Sequence, residues 1–328
     1  MHIDYNRFNF HPKKNFLDIN IILKNFSKNI TKYKIENNFE ILDISSLDRQ
    51  KKNSILFIKD INFNNIKEDK ILIITDNDLL FEDKKIKNII LTNNLSFIYN
   101  LIINFFILHD DSIDYQDEFE FKNGSYISKF SKIKNDVLIG HNCLIGRGVI
   151  IENRSIIKNN VVIKNAIIGS NVTICDNTSI GTSGFGFDFN IRGADKLNPQ
   201  IGIVYIDNNS HIGSSTTIDR AKIDITYIGK NCMIDNLIHI AHNVILNDDA
   251  CIAAQTGISG SAIIGKNVTI GGQVGIAGHI KIGNNVIIAA KSGVTKNIKD
   301  NSTIAGFPAI DIKEWKKKII MEKKNGYK

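Results

Sequence analysis

One aliphatic side chain returns every six residues through the second half of this chain. Positions 228, 234, 240, 246, 252, 258, 264, 270, 276, 282, 288 and 294 are all Ile, except Leu246 and Val294. The residue after each is small or short and polar, drawn from Gly, Ala, Ser, Thr, Asn and Asp. Earlier hexads fall at Ile139, Ile145, Ile151, Ile157 and Ile163, then after a one-residue slip at Ile168, Ile174 and Ile180. A further set runs Ile206, Ile212 and Ile218, followed by two five-residue steps through Ile223 to Ile228. An α-helix has no six-residue period, and strand alternation by itself repeats every two. A coil of three short strands per 18-residue turn meets the pattern, with each strand sending one aliphatic side chain inward. The expected fold is therefore mainly β, a parallel β-helix built from hexapeptide repeats.

Three residues after the inward aliphatic, Asn recurs at 142, 160, 171, 177, 209, 231, 243, 267 and 285. Asn is the non-glycine residue most tolerant of left-handed backbone, which a tight corner between strands requires. A stretch without hexads, 182–205, interrupts the coil as a long loop holding Gly184-Phe185-Gly186-Phe187. Loops of that length in a compact solenoid are usually functional. After Val294 the repeat stops, and Gly306-Phe307-Pro308 precedes an expected helix from Asp311 to about Lys324.

Glycine marks the other boundary. All 23 glycines lie at or after Gly124. The first 123 residues mix apolar runs such as Ile71-Leu72-Ile73-Ile74 with Lys/Asn/Asp-rich connections, which predicts a small α/β domain with a helix over roughly 93–108. The division expected from sequence is thus 1–123, 124–308 with the inserted loop, and 309–328 as a basic helix.

With 43% hydrophobic and 23% charged residues, 65 of them Ile and only three Pro, the chain falls outside the disordered and collagen-like classes. The segment Met1 to Arg7 lacks the apolar run of a signal peptide, and the most apolar window, Leu95 to Leu108, is too short to span a bilayer. A soluble cytoplasmic protein is expected. Cys143, Cys175, Cys232 and Cys251 form no metal-binding spacing and read as reduced thiols. The formal charge is +7, and residues 309–328 hold seven Lys against three acidic residues. Such a patch suits nucleic acid, an anionic membrane surface or an acidic protein.

The repeat converts spacing into geometry. His242 and Gly260 each follow an inward Ile by two residues and stand 18 apart, so Gly260 stacks one coil above His242, about 4.8 Å away. An imidazole base beside a backbone N–H is the minimum for acyl transfer: one takes the nucleophile's proton and the other holds the oxyanion. His279 lies in the corner slot otherwise filled by Asn, near the same column. Asp235 could orient the imidazole of a neighbouring chain or cap its own corner. Corner histidines are also ordinary solvated turn residues. Two other classes stay open from spacing: a trimeric zinc hydrolyase using His239, His242 and His279, and a non-catalytic scaffold. Against the zinc set, His239 directly precedes an inward Ile and points to the outer side of the wall.

The combination of the Gly184–Phe187 loop, Thr217-Ile218-Asp219-Arg220, Ile234-Asp235-Asn236 followed by Ile240-Ala241-His242-Asn243-Val244, and Gly275-Ile276-Ala277-Gly278-His279 resembles the UDP-3-O-(3-hydroxyacyl)glucosamine N-acyltransferases of lipid A biosynthesis. The resemblance implies a left-handed β-helix, a homotrimer with active sites between subunits, His242 as general base, Gly260 as oxyanion amide and Asp235 as the carboxylate of a DN motif. It places Asn236, His239 and His279 among substrate-binding residues. It also implies an N-terminal uridine-binding domain, with Phe57, Asp60 and Phe63 matching the uracil-stacking motif. Asp60 stands where that motif has Asn, an acceptor-only carboxylate in place of an amide. No tightly bound cofactor is implied. Phosphopantetheine arrives on acyl carrier protein, whose acidic surface Lys313, Lys316, Lys317 and Lys318 would meet, with Trp315 as an anchor. The sister UDP-N-acetylglucosamine O-acyltransferases share the fold and base chemistry but lack an N-terminal uridine-binding domain.

Overall fold

The computed structural model describes residues 11–12, 17–59, 66, 70–108, 117–186 and 198–324. The chain divides into two compact units, Met1–Ile113 with Gly186–Ile201, and Asp114–Phe185 with Gly202–Lys328. The division falls about ten residues before the first glycine. Gly124 sits instead in the two-residue turn of a hairpin, Phe119–Lys122 against Ser125–Ser128, that belongs to the second unit. Asn123 and Gly124 both have positive φ there, +51° and +78°, as a tight turn matching strand twist demands.

The first unit holds a five-stranded sheet in the order Ile30–Ile35, Asn88–Thr92, Ile71–Thr75, Ser54–Ile58, Asp43–Ile44. Its first pair is antiparallel and the rest parallel. Ile71–Thr75 and Asn88–Thr92 are buried at every position, as parallel strands covered on both faces are. The helix expected at 93–108 runs Leu95–Phe106. Part of the long loop also counts with this unit: Tyr99 Oη donates to Pro199 O at 2.9 Å, and Ser96 Oγ to Asn198 Oδ1 at 3.1 Å.

The second unit is the β-helix. Its strands, of two to four residues, stack into three sheets of ten, eight and ten strands, parallel throughout except where a hairpin strand closes an end. The inward aliphatics form one continuous core, with Ile240, Ile258, Ile264 and Ile282 at 0% exposure. Each fully buried Ile contributes about 1.5–3 kcal/mol relative to an exposed one. All nine corner Asn residues have positive φ, between +54° and +62°, and His279 shares the slot at +60°. Their amides also form ladders along the corners, as in Asn267 Nδ2 to Asn285 Oδ1 at 2.9 Å and Asn285 Nδ2 to Asn301 Oδ1 at 3.0 Å.

The coil is longer than the hexads suggest. It begins with Ile127 and Ile133, and it passes Val294 to pair Thr303–Ala305 with Ile287–Ile288. Spacing drops to 16 residues in this last turn, which hides it from an 18-residue search. Ile223 is not an inward position. It lies in an insert at 220–224 that lengthens one turn to 22 residues, since Thr217 pairs with His239. The interrupting loop is bracketed by Ser179–Thr182 and Ile203–Ile206. A final strand, Ile310–Asp311, and the helix Ile312–Lys324 close the chain. Trp315 is half-buried and lies against Gly306, where an added Cβ would meet its Cδ1 at 2.9 Å. All four cysteines are free thiols, and no helix among the described residues is long and apolar enough to cross a membrane.

Candidate active site

His242 occupies the corner after the strand His239–Ile240, and Ile240 pairs with Ile258 one turn along. This register puts Gly260 directly above the imidazole. A Cβ on Gly260 would lie 2.7 Å from both Nε2 and Cε1 of His242, so any larger residue would displace the ring. The amides flanking Gly260 are engaged: Ser259 N donates to Ile276 O at 3.0 Å and Ser261 N to His242 O at 2.9 Å. Among the described residues no acceptor takes the Gly260 N–H itself.

The other imidazole nitrogen is fixed by the neighbouring residue. His242 Nδ1 lies 3.2 Å from Asn243 Oδ1. That oxygen also accepts from Lys222 N at 2.9 Å, while Asn243 Nδ2 donates to Ile223 O at 2.8 Å. The amide orientation is therefore set by the 220–224 insert, and Oδ1 can only accept. Nδ1 must carry the proton, which leaves the Nε2 lone pair facing Gly260. Asn243 was legible in the sequence only as a corner residue.

A carboxylate absent from the sequence-derived site also belongs here. Asp219 is 7% exposed and ends the strand Thr217–Asp219. Its Oδ1 lies 3.4 Å from Thr182 Oγ1 and its Oδ2 3.7 Å from His239 Nε2, while His239 Nδ1 meets Thr217 Oγ1 at 2.8 Å. Burial pushes the Asp219 carboxyl above the usual range, opposed by the nearby His239 and His242. Gly184 completes the enclosure: a Cβ there would sit 3.1 Å from His242 Cδ2 and 3.3 Å from Asp219 Oδ2.

The remaining sequence-derived residues are placed as follows. Asp235 caps its own corner, its Oδ1 accepting from Asn236 N at 2.8 Å and its Oδ2 from Ala254 N at 3.2 Å. Within one chain it is not brought to His242. Asn236 Oδ1 accepts from Ser214 N at 2.6 Å. His279 is exposed, and its N–H donates to Gly260 O at 3.1 Å. In the first unit Phe57 is half-buried and packs edge-on against Tyr99, ring centroids 5.0 Å apart. Asp60, Phe63 and Phe187 lie outside the described residues. Among the described residues no three His, Cys, Asp or Glu side chains gather around one metal position.

A groove of about 730 Å³ leads away from His242. Its floor is a column of outward glycines in register, His239 to Gly257 to Gly275 to Gly293. A Cβ on Gly257 or Gly275 would meet nothing within 4 Å. At Gly293 the ring of Phe307 fills the Cβ position, held there by hydrogen bonds from Gly293 N to Gly306 O and Ala309 N to Gly293 O. The trough is thus floored by bare backbone, about three strand spacings or ~14 Å long, with Gln273 and Lys291 in its lining and the Phe307 ring at its end.

The family model for the bacterial transferase hexapeptide (six repeats) matches residues 130–165, 225–260 and 261–296. The three matched segments together cover about a third of the chain. This hexapeptide-repeat chain is 51% identical over 82 residues to the UDP-3-O-acylglucosamine N-acyltransferase of Methylacidiphilum infernorum (isolate V4), covering 25% of this chain and 23% of that relative. It is 47% identical over 147 residues to the enzyme of the same name from Desulfotalea psychrophila (strain LSv54 / DSM 12343), covering 45% and 43%. The matched stretches span less than half the length of either relative. Among solved structures it is similar to the UDP-N-acetylglucosamine O-acyltransferase of Moraxella catarrhalis RH4, with a TM-score of 0.53 and 26% identity over 60% of this chain and 77% of that one.

Proposed function

We propose that this chain is an N-acyltransferase of lipid A biosynthesis, moving a 3-hydroxyacyl group from acyl carrier protein to the 2-amine of UDP-3-O-(3-hydroxyacyl)glucosamine. The observation that carries the reading is the His242–Gly260 pair, a base with its lone pair aimed at the space beneath an unengaged N–H. The likeness to curated N-acyltransferases over part of the chain supports it. His242 Nε2 takes a proton from the attacking nitrogen as the C–N bond forms at the thioester carbonyl. The Gly260 N–H stabilises the oxyanion. When the C–S bond breaks, the imidazolium returns its proton and phosphopantetheine leaves as a thiol. The glycine-floored trough receives the acyl chain.

His239, His279 and Asn236 would contact the acceptor. The active unit is a homotrimer, in which Asp235 of one copy reaches the site of the next. Phe57, Asp60 and Phe63 would bind the uracil ring, Phe57 giving only a partly exposed face. Lys313, Lys316, Lys317 and Lys318, all exposed on the last helix, would meet the carrier protein. No resident cofactor is required, and the reaction is assigned to the cytoplasm. The structural likeness at 26% identity favours transfer to the hydroxyl of UDP-N-acetylglucosamine as the second reading.

Purified protein incubated with 3-hydroxyacyl-carrier protein and both acceptors separates the readings. Amide formation on UDP-3-O-acylglucosamine is expected, reduced ~10²–10⁴-fold in His242→Ala with the melting temperature unchanged. Transfer only to UDP-N-acetylglucosamine would establish the second reading, and no transfer to either would leave a scaffold.

A further inference from the structure

Asp219 lacks what a buried carboxylate needs. Its partners at 3.4 and 3.7 Å are both long for a charge-assisted hydrogen bond, which ordinarily closes to about 2.7–2.9 Å. The charged or titratable groups around it are His239 and His242, while the Arg220 Nε donates to Gly202 O. A carboxylate held out of water with so little compensation is costly to the fold. Its Oδ2 and the edge of the His242 ring both close on Gly184, where an added Cβ would lie 3.3 Å from Oδ2, 3.1 Å from His242 Cδ2 and 3.0 Å from His242 Cβ, so the two side chains meet at one glycine.

Resting on the N-acyltransferase reading, we infer that Asp219 recognises the acceptor's amine in its ammonium form beside His242, and so selects an amine over a hydroxyl acceptor. Until its nitrogen attacks, which requires one proton to pass to solvent first and leaves the second for His242, the ammonium offers three donors and a full positive charge that the under-coordinated Oδ2 accepts and an alcohol cannot match. The N-acylated product has a neutral amide at the same position and loses this contact. Substrate is thereby held and product released by one group.

Calorimetric titration of the full chain with two ligands tests this. UDP-3-O-acylglucosamine should bind Asp219→Asn about 10- to 100-fold more weakly than wild type, the range for losing one charge-assisted hydrogen bond. The N-acylated product should keep its wild-type affinity. A structural role would weaken both ligands together, and that result, or no loss for either, overturns the inference. A second measurement needs no variant: wild-type protein should bind the amine more tightly than UDP-3-O-acylglucose, its 2-hydroxyl analogue, and equal affinities would also overturn it. Failure here is distinct from failure of the parent reading, because wild-type amide formation is scored separately in the transfer assay.

Discussion

What touches each nitrogen of His242 suits it to the role of base proposed for it. Asn243, locked by Lys222 N and Ile223 O, accepts from Nδ1 and directs the lone pair of Nε2 to the reacting side. Asn243→Gly keeps the positive φ but removes the acceptor; kcat should fall at least ~10-fold with KM little changed, and Asn243→Asp, which keeps an acceptor, should recover most of it. Steady-state kinetics of the two variants against one acceptor would decide. Asp219 shows the opposite balance, a residue that harms stability where it serves the site. Its folded carboxyl titrates above the unfolded one, so any stability it contributes is present only below the unfolded value, about 3.9, and is lost as pH rises through the folded value. Asp219→Asn should therefore raise the melting temperature at pH 7, with the gain shrinking to nothing below about pH 4. A gain that persists unchanged in acid would count against burial of the charge. His242 and Gly260 were legible because 18 residues is one regular turn. Asp219 was not, because the 220–224 insert makes its turn 22 residues long and breaks that ruler.

At the scale of elements, the strands are so short that almost every residue is either inward, outward or at a corner. Inward positions were readable from the hexads, and corners from Asn. Outward positions carried less signal, although Gly257, Gly275 and Gly293 fall at the same 18-residue interval. Their meaning depends on a segment that follows them, Gly306 to Ala309, which folds back to lay Phe307 over Gly293. That backbone is held by main-chain bonds, so the ring can be removed without losing the contact that places it. Phe307→Ala should extend the trough and shift donor preference toward longer acyl chains, measured as the ratio of kcat/KM for two carrier-bound chain lengths. An unchanged ratio would mean that the chain stops elsewhere. A wider pocket of this kind changes selectivity by ~10- to 200-fold per methylene at most.

On the scale of the whole molecule, the proposed function would use two parts of the solenoid. The site lies where the regular coil follows the long loop and the insert, and the basic helix closes the far end. Trp315 lies half-buried against Gly306 beside the exposed lysines of that helix. Replacing Lys313, Lys316, Lys317 and Lys318 with Gln should raise KM for the carrier protein, leave kcat nearly unchanged and flatten the dependence of KM on salt. Equal KM values across ionic strength for variant and wild type would place carrier docking on another surface.

The sequence by itself determined the solenoid, its three-sided turn, the conformation of its corners and the stacking of Gly260 over His242. Each of these follows from a fixed period, and a period survives in a sequence without knowledge of distant contacts. Only the tertiary structure decided which carboxylate stands at the base, which tautomer His242 holds and where the trough ends. Those depend on the points at which the period fails, the insert, the long loop and the returning tail, where partners are chosen by three-dimensional closure and leave no regular spacing behind.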